Sequence, residues 1–399
     1  MKIRVAMVVV VLLGLFTPEG ALRAQEAEPN DAELRETMHR IFESLAVLLP
    51  LSLDRKRFAS APERTTIEAA LGTLGDASRE VDVHAASRDA GFGGIATSLS
   101  RTISDARSSF GRGRYADAQS MVSQLTSNCV ACHSRLPKDR DFPLAKQLTD
   151  RAEIRVLKPI ERERLLVATR QFDAALSLCE TRFADPAIEV VDLDLDGSLL
   201  LYLVVSVRVQ RDLPRARATL TRLAARDGVQ TYLSRDLRAW LGHLDELTAR
   251  KRSAPKLSRA RELSERGRKA LQFPGDRKGL IYDLAASSEL LQLLESPRQP
   301  APQLAEVYFR LGEIAARVER NAGVSETVQD LESSIRLGPA GPYAETAYAA
   351  LEEYTLFTYA DLEHPDLPPD VASRLAELRT LVEQSRAKPA RGKATKPRP

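Results

Sequence analysis

Apolar residues recur at every third or fourth position over most of this chain, a period that one face of a helix can bury and a strand cannot. From Asp31 to Leu49 they fall at Leu34, Met38, Ile41, Phe42, Leu45, Leu48 and Leu49, with Asn30 or Asp31 placed to cap the start. After Pro62, Thr65 to Ser87 repeats the pattern through Ile67, Leu71, Leu74, Ser78, Val81 and Ala85. A third helix is expected from Gly94 to Phe110, between a turn at Gly91-Phe-Gly-Gly94 and a stop at Gly111-Arg-Gly113. A fourth begins at Tyr115 and carries Ala118, Met121, Val122 and Leu125 on its inner face. Short connections between four such helices favour an antiparallel four-helix bundle.

Aromatic residues make up only 5% of the chain, and Leu, Ala, Arg and Glu, which lose little freedom in a helix, fill long stretches. The fold class read from this is all-α. With 399 residues, 43% of them apolar, the chain can bury two or three cores, which excludes a single small domain.

The N-terminus reads as a secretory signal peptide over residues 1–24. Lys2 and Arg4 precede an apolar run from Val5 to Phe16 that is too short to cross a bilayer, and Ala21 to Ala24 offers small residues for cleavage before Gln25. The competing reading is an uncleaved N-terminal anchor. Cleavage would send the mature protein to the periplasm, with no further transmembrane segment. It would also lower the formal charge from +3 to +1, so net charge names no partner and gives no sign of nucleic acid. Residues 387–399 hold several basic side chains, no acidic ones and three prolines, and read as a disordered basic tail.

Three cysteines are too few for a disulfide framework. Two of them stand in Cys129-Val-Ala-Cys132-His133, and C-x-x-C-H is the attachment signature of haem c. Thiols at i and i+3 lie on one helical face, where they can form thioethers with the two vinyl groups of one porphyrin. His133 then projects to the iron as proximal ligand. One covalent haem c is the cofactor expected. A zinc site would need a fourth ligand at local spacing, whereas the other histidines, His39, His84, His243 and His364, lie far off in sequence.

In helix order and motif, residues 25–140 resemble the class II c-type cytochromes, the group that includes cytochrome c prime and its low-spin relatives. In that family the motif closes the fourth helix, as Cys129 to His133 does here. Class I cytochromes resemble the chain less, because they place the motif near the start of the domain. The resemblance implies either electron transfer or gas binding. It also implies a methionine on the first helix as sixth iron ligand in the low-spin case. Met38 is the candidate, and His84 a second, because both share the bundle end of His133 in an up-down-up-down order. Met121 lies twelve residues before His133 on the same helix, about 18 Å away, and cannot compete.

Pro137 to Pro159 reads as a linker, with bounds at 141–158, ahead of a helical region over 159–386. Gln171-Phe-Asp-Ala-Ala-Leu-Ser-Leu-Cys179 resembles the second helix of a tetratricopeptide (TPR) repeat, with Phe172, Ala175 and a buried thiol at Cys179 on the packed face. Tyr308-Phe-Arg-Leu311-Gly312-Glu-Ile-Ala315, followed by Leu331, Ser334 and Pro339, resembles it further, though it runs about three residues long between its halves. Segments near 198–211, 215–226, 229–250, 258–272, 279–295, 343–360 and 370–385 supply the other helices. Such TPR-like helical repeats stack, and their concave face commonly binds protein.

Other motifs are set aside. Asp192-Leu-Asp194-Leu-Asp196-Gly197 imitates a calcium loop, but the place of its bidentate Glu is taken by Leu203; the acidic cluster instead suits the start of the next helix. Gly91-Phe-Gly-Gly94 follows no strand and does not read as a phosphate loop. No acid, base or nucleophile grouping outside the haem motif points to an enzyme. The function expected is therefore a periplasmic electron carrier with a redox partner protein, its helical repeats docking that partner. The alternatives are a haem-based gas binder or sensor and a non-redox scaffold.

Overall fold

The computed structural model describes residues 29–86, 90–136, 146, 149–250, 254–273, 275–295, 299–318, 326–359 and 366–387. The expected signal peptide, residues 137–145 of the linker region, His364 and the tail beyond Ala387 lie outside them. The described residues are helical throughout, with no strand among them. No described helix is long and apolar enough to cross a membrane.

Four long helices, α1 (Pro29–Ser52), α3 (Arg64–Ala86), α4 (Ala90–Gly111) and α5 (Tyr115–His133), pack side by side, with the short α2 (Arg55–Phe58) between the first two. The Asp54 carboxylate caps α2 by accepting from the backbone N–H groups of Lys56 and Arg57, which lets Phe58 plug the core. That core takes Ile41, Phe42, Leu45 and Leu48 from α1, Ile67, Leu71 and Leu74 from α3, Ile103 from α4, and Val122 and Leu125 from α5.

Gly91 to Gly94, expected as a turn, lie inside the first turn of α4 instead. A late helix lies against Gly94: a Cβ there would meet the end of the Gln329 side chain, with Cδ at 2.7 Å.

Beyond residue 150 the chain forms α6 (Ala152–Arg155), α7 (Pro159–Ala168), α8 (Phe172–Ala184), α9 (Val190–Leu195), α10 (Ser198–Leu203), a π-helical stretch (Val204–Val209), α11 (Leu213–Ala224), α12 (Thr231–Ala249), α13 (Leu257–Ala270), α14 (Leu280–Leu294), α15 (Ala301–Val318), α16 (Glu326–Leu337), α17 (Ala344–Tyr359) and α18 (Pro369–Ala387). Three successive cores run through this series, and Trp240, fully buried with its indole N–H donated to the Arg277 carbonyl at 2.7 Å, anchors the first.

Two differences from the sequence reading have clear causes. The helix expected over 198–211 changes to π geometry at Val204. The acidic stretch before it forms α9 itself, because Asp194 pairs with Arg277 and Asp196 with Arg182 rather than serving only the helix dipole.

The chain does not pass cleanly from one core to the next. Ile154 and Leu157 are buried in the first core, and Arg151 forms a two-toothed pair with Glu43 of α1 at 2.5 and 2.6 Å. Within α7, Leu165 faces the first core and Val167 the second. The later helices also return, since α16 packs on α4.

Candidate functional site

α5 buries Ala118, Val122, Leu125, Thr126, Asn128 and Ala131, and its last turn carries Cys129, Cys132 and His133. That turn lies between two cores. Cys129, half-buried, packs against the first core alongside Leu34 and Met38 of α1, whereas Val130 packs against the second. Burial pushes the Cys129 thiol up to about 11. Ser134 ends the helix, donating its backbone N–H to the Val130 carbonyl at 2.9 Å.

His133 is gripped by the segment that follows α7. Its Nδ1–H donates to the carbonyl oxygen of Ala168, and its own carbonyl accepts from Nη1 of Arg170 at 3.0 Å. A carbonyl can only accept, so the contact fixes the Nδ1–H tautomer and leaves the Nε2 lone pair without a hydrogen-bond partner among the described residues. Burial, helped by the Arg170 charge and opposed by the Ala168 carbonyl, holds the imidazole down to about 4, so it is neutral near pH 7. A neutral imidazole held through one nitrogen by a carbonyl is the form in which histidine ligates a metal. The donor set therefore fits haem c: Cys129 and Cys132 for the thioethers, and His133 Nε2 for the iron.

The two residues after the motif enter a buried ionic cluster that spacing in sequence did not reveal. Arg135 donates to Asp330 through Nη1 at 2.9 Å and Nη2 at 2.7 Å, and to Glu326 at 3.1 Å. Arg208, on the π-helical stretch, donates to the other oxygen of Glu326 at 2.9 Å and to the Ser134 hydroxyl. The side chains of Arg135, Asp330, Glu326 and Arg208 are 1%, 1%, 6% and 9% exposed, so these charges must pair with each other. The available signal was local to α16, whose buried stripe of Thr327, Leu331 and Ser334 also contains Glu326 and Asp330. A carboxylate on a buried stripe needs a partner, but the stripe alone does not say which. Beside the cluster lies a cavity of about 260 Å³ lined by Ser134, Arg135, Arg208, Arg211, Leu291 and Gln292.

The other candidates fall as follows. Met38 is half-buried, and the adjacent Thr37 donates to Glu80 of α3 at 2.7 Å. His84 is half-buried in the last turn of α3. His39 faces Glu43 at 3.6 Å, and His243 stacks on Tyr282 with ring centroids 4.0 Å apart. Cys179 is buried beside Glu163, which Arg182 and Ser198 hold at 2.8 and 2.6 Å; burial, then the Glu163 charge, pushes the thiol well up. No group of three or more His, Cys, Asp or Glu side chains able to hold a metal ion occurs among the described residues. A zinc site needs such a group, whereas a haem iron takes at most two protein ligands.

No family model matches the sequence, and comparison with curated proteins and with solved structures found no match.

Proposed function

We propose that this chain is an exported, monohaem c-type cytochrome that passes electrons to a partner protein. In this reading α1, α3, α4 and α5 form an antiparallel four-helix bundle of the class II kind, the signal peptide over residues 1–24 directs it to the periplasm, and the helices from α7 onward form a TPR-like array that docks the partner. The observation that carries it is Cys129-Val-Ala-Cys132-His133 on the last turn of α5, with the imidazole tautomer set by Ala168 so that Nε2 remains for iron. Covalently held haem would supply a one-electron iron couple.

Helix register favours Met38 over His84 as the second axial ligand. Gln119 of α5 donates to the Ser52 carbonyl of α1, and counting fourteen residues from that contact along both helices reaches His133 and Met38. In antiparallel helices the two are level, about 21 Å from the contact. From the Thr37 to Glu80 contact, four further residues along α3 bring His84 level with the exposed Glu33, about 7.5 Å past Met38.

Acid-acetone extraction of the matured protein tests the central claim. The colour is expected to stay with the chain, and the mass to exceed that of the processed polypeptide by one haem. Colour in the solvent, or a mass without haem, overturns it.

A further inference from the structure

The array grips both sides of the haem motif. On one side, the end of α7 supplies the Ala168 carbonyl to His133 Nδ1 and the Arg170 guanidinium to the His133 carbonyl. On the other, the π-helical stretch and α16 supply Arg208, Glu326 and Asp330 to Ser134 and Arg135. His133, Ser134 and Arg135 are consecutive, and each is held by a residue from the array.

Two helix ends of the array close where it does this. Arg170 and Arg211, at φ 62° and 57°, are the non-glycine residues in left-handed conformation among the described residues, and both border the seam. Each follows a helix C-terminus that closes on itself: the Gln171 N–H reaches the Leu166 carbonyl at 2.8 Å, and the Asp212 N–H reaches the Ser206 carbonyl at 2.8 Å. π-helical stretches such as 204–209 are uncommon and concentrate at functional sites.

We propose that the array is the outer ligand shell of its own haem: Ala168, Arg170, Arg208, Glu326 and Asp330 are positioning residues that set the orientation and donor strength of His133. This rests on the cytochrome reading above and goes beyond it, because it gives the array a role toward the bundle in addition to any partner. The physical link is the Nδ1–H bond. A firm bond to a carbonyl makes the imidazole a stronger donor through Nε2 and favours ferric iron; a loosened one favours ferrous iron and raises the midpoint potential.

The test uses the full-length, haem-loaded chain with Asp330→Asn and Arg170→Lys. The first weakens the ionic cluster and removes a negative charge. The second conserves charge and replaces the fork that reaches the His133 carbonyl. Both are expected to move the midpoint potential upward, by a tenfold change in the ferrous-to-ferric ratio, about 59 mV for one electron. Hydrogen exchange of backbone amides over 126–136, followed by mass spectrometry, is expected to rise in both. The same rise is expected in the chain carrying Cys129→Ser and Cys132→Ser, which needs no haem. Trp240→Phe, which removes a buried hydrogen bond in the array away from the seam, is expected to leave the potential unchanged. Haem retained with an unaltered potential in both seam variants overturns this proposal alone, as does unaltered exchange. Absence of covalent haem from the unmutated chain overturns the cytochrome reading and this proposal with it. Should Asp330→Asn fail to fold, Arg170→Lys decides.

Discussion

Arg135 and Asp330, 195 positions apart in sequence, form a two-toothed ion pair at 2.7 and 2.9 Å with both side chains 1% exposed. Removing one partner of such a pair leaves a buried charge uncompensated, at about 3–5 kcal/mol. Asp330→Ala is expected to lower stability by that amount near pH 8. Urea unfolding can follow it with two probes: the fluorescence of Trp240, the sole tryptophan, and the haem absorption of the proposed cytochrome. The two transitions should coincide in the unmutated chain and separate in the variant. Coincident transitions in both would mean that the pair does not couple bundle to array.

The same carboxylate gives a pH dependence with a definite sign. Burial, opposed by Arg135 and helped by the Glu326 charge, pushes Asp330 from 3.8 up to about 6. Between those values the folded chain holds a proton that the unfolded chain has released, so this group's contribution to stability falls as pH rises from about 4 to about 6. The stability advantage of the unmutated chain over Asp330→Asn should therefore be larger at pH 4.5 than at pH 7. A gap that widens with rising pH would place Asp330 below its ordinary value, under the control of Arg135.

Met38 stands level with His133 by helix register, and the proposed electron carrier depends on it. A low-spin spectrum with a methionine-to-iron charge-transfer band is expected, lost in Met38→Ala and kept in His84→Ala. A high-spin ferrous form that binds carbon monoxide readily in the unmutated protein would remove the methionine ligand and favour a gas binder.

Gly312 of α15 faces Leu331 of α16 so closely that an added Cβ would lie 2.7 Å from the Leu331 Cγ and 3.2 Å from its backbone nitrogen. The backbone cannot yield as a side-chain end can. Gly312→Ala is expected to cost about 1–3 kcal/mol through overpacking, despite alanine's better helix propensity. A thermal unfolding scan showing a gain in stability would mean that the two helices separate without penalty.

What the sequence determined alone was whatever depends on neighbours within a few turns. The apolar period marked the four long helices, with ends displaced by a few residues, because a single stripe such as Leu34, Met38, Ile41 and Leu45 already states which side must be buried. The pattern Cys129-Val-Ala-Cys132-His133, on which the proposed haem rests, was legible for the same reason, since its residues lie within five positions of one another. The tertiary structure alone decided how the motif is held. Nothing near Ala168 marks its carbonyl as an acceptor for His133, and nothing near Asp330 names Arg135, because a backbone carbonyl carries no side-chain signature and a buried charge accepts any opposite charge the fold brings to it. Gly94 shows both cases: its sequence context of clustered glycines reads as a turn, and only the tertiary structure shows it inside a helix with the Gln329 side chain of α16 laid against it.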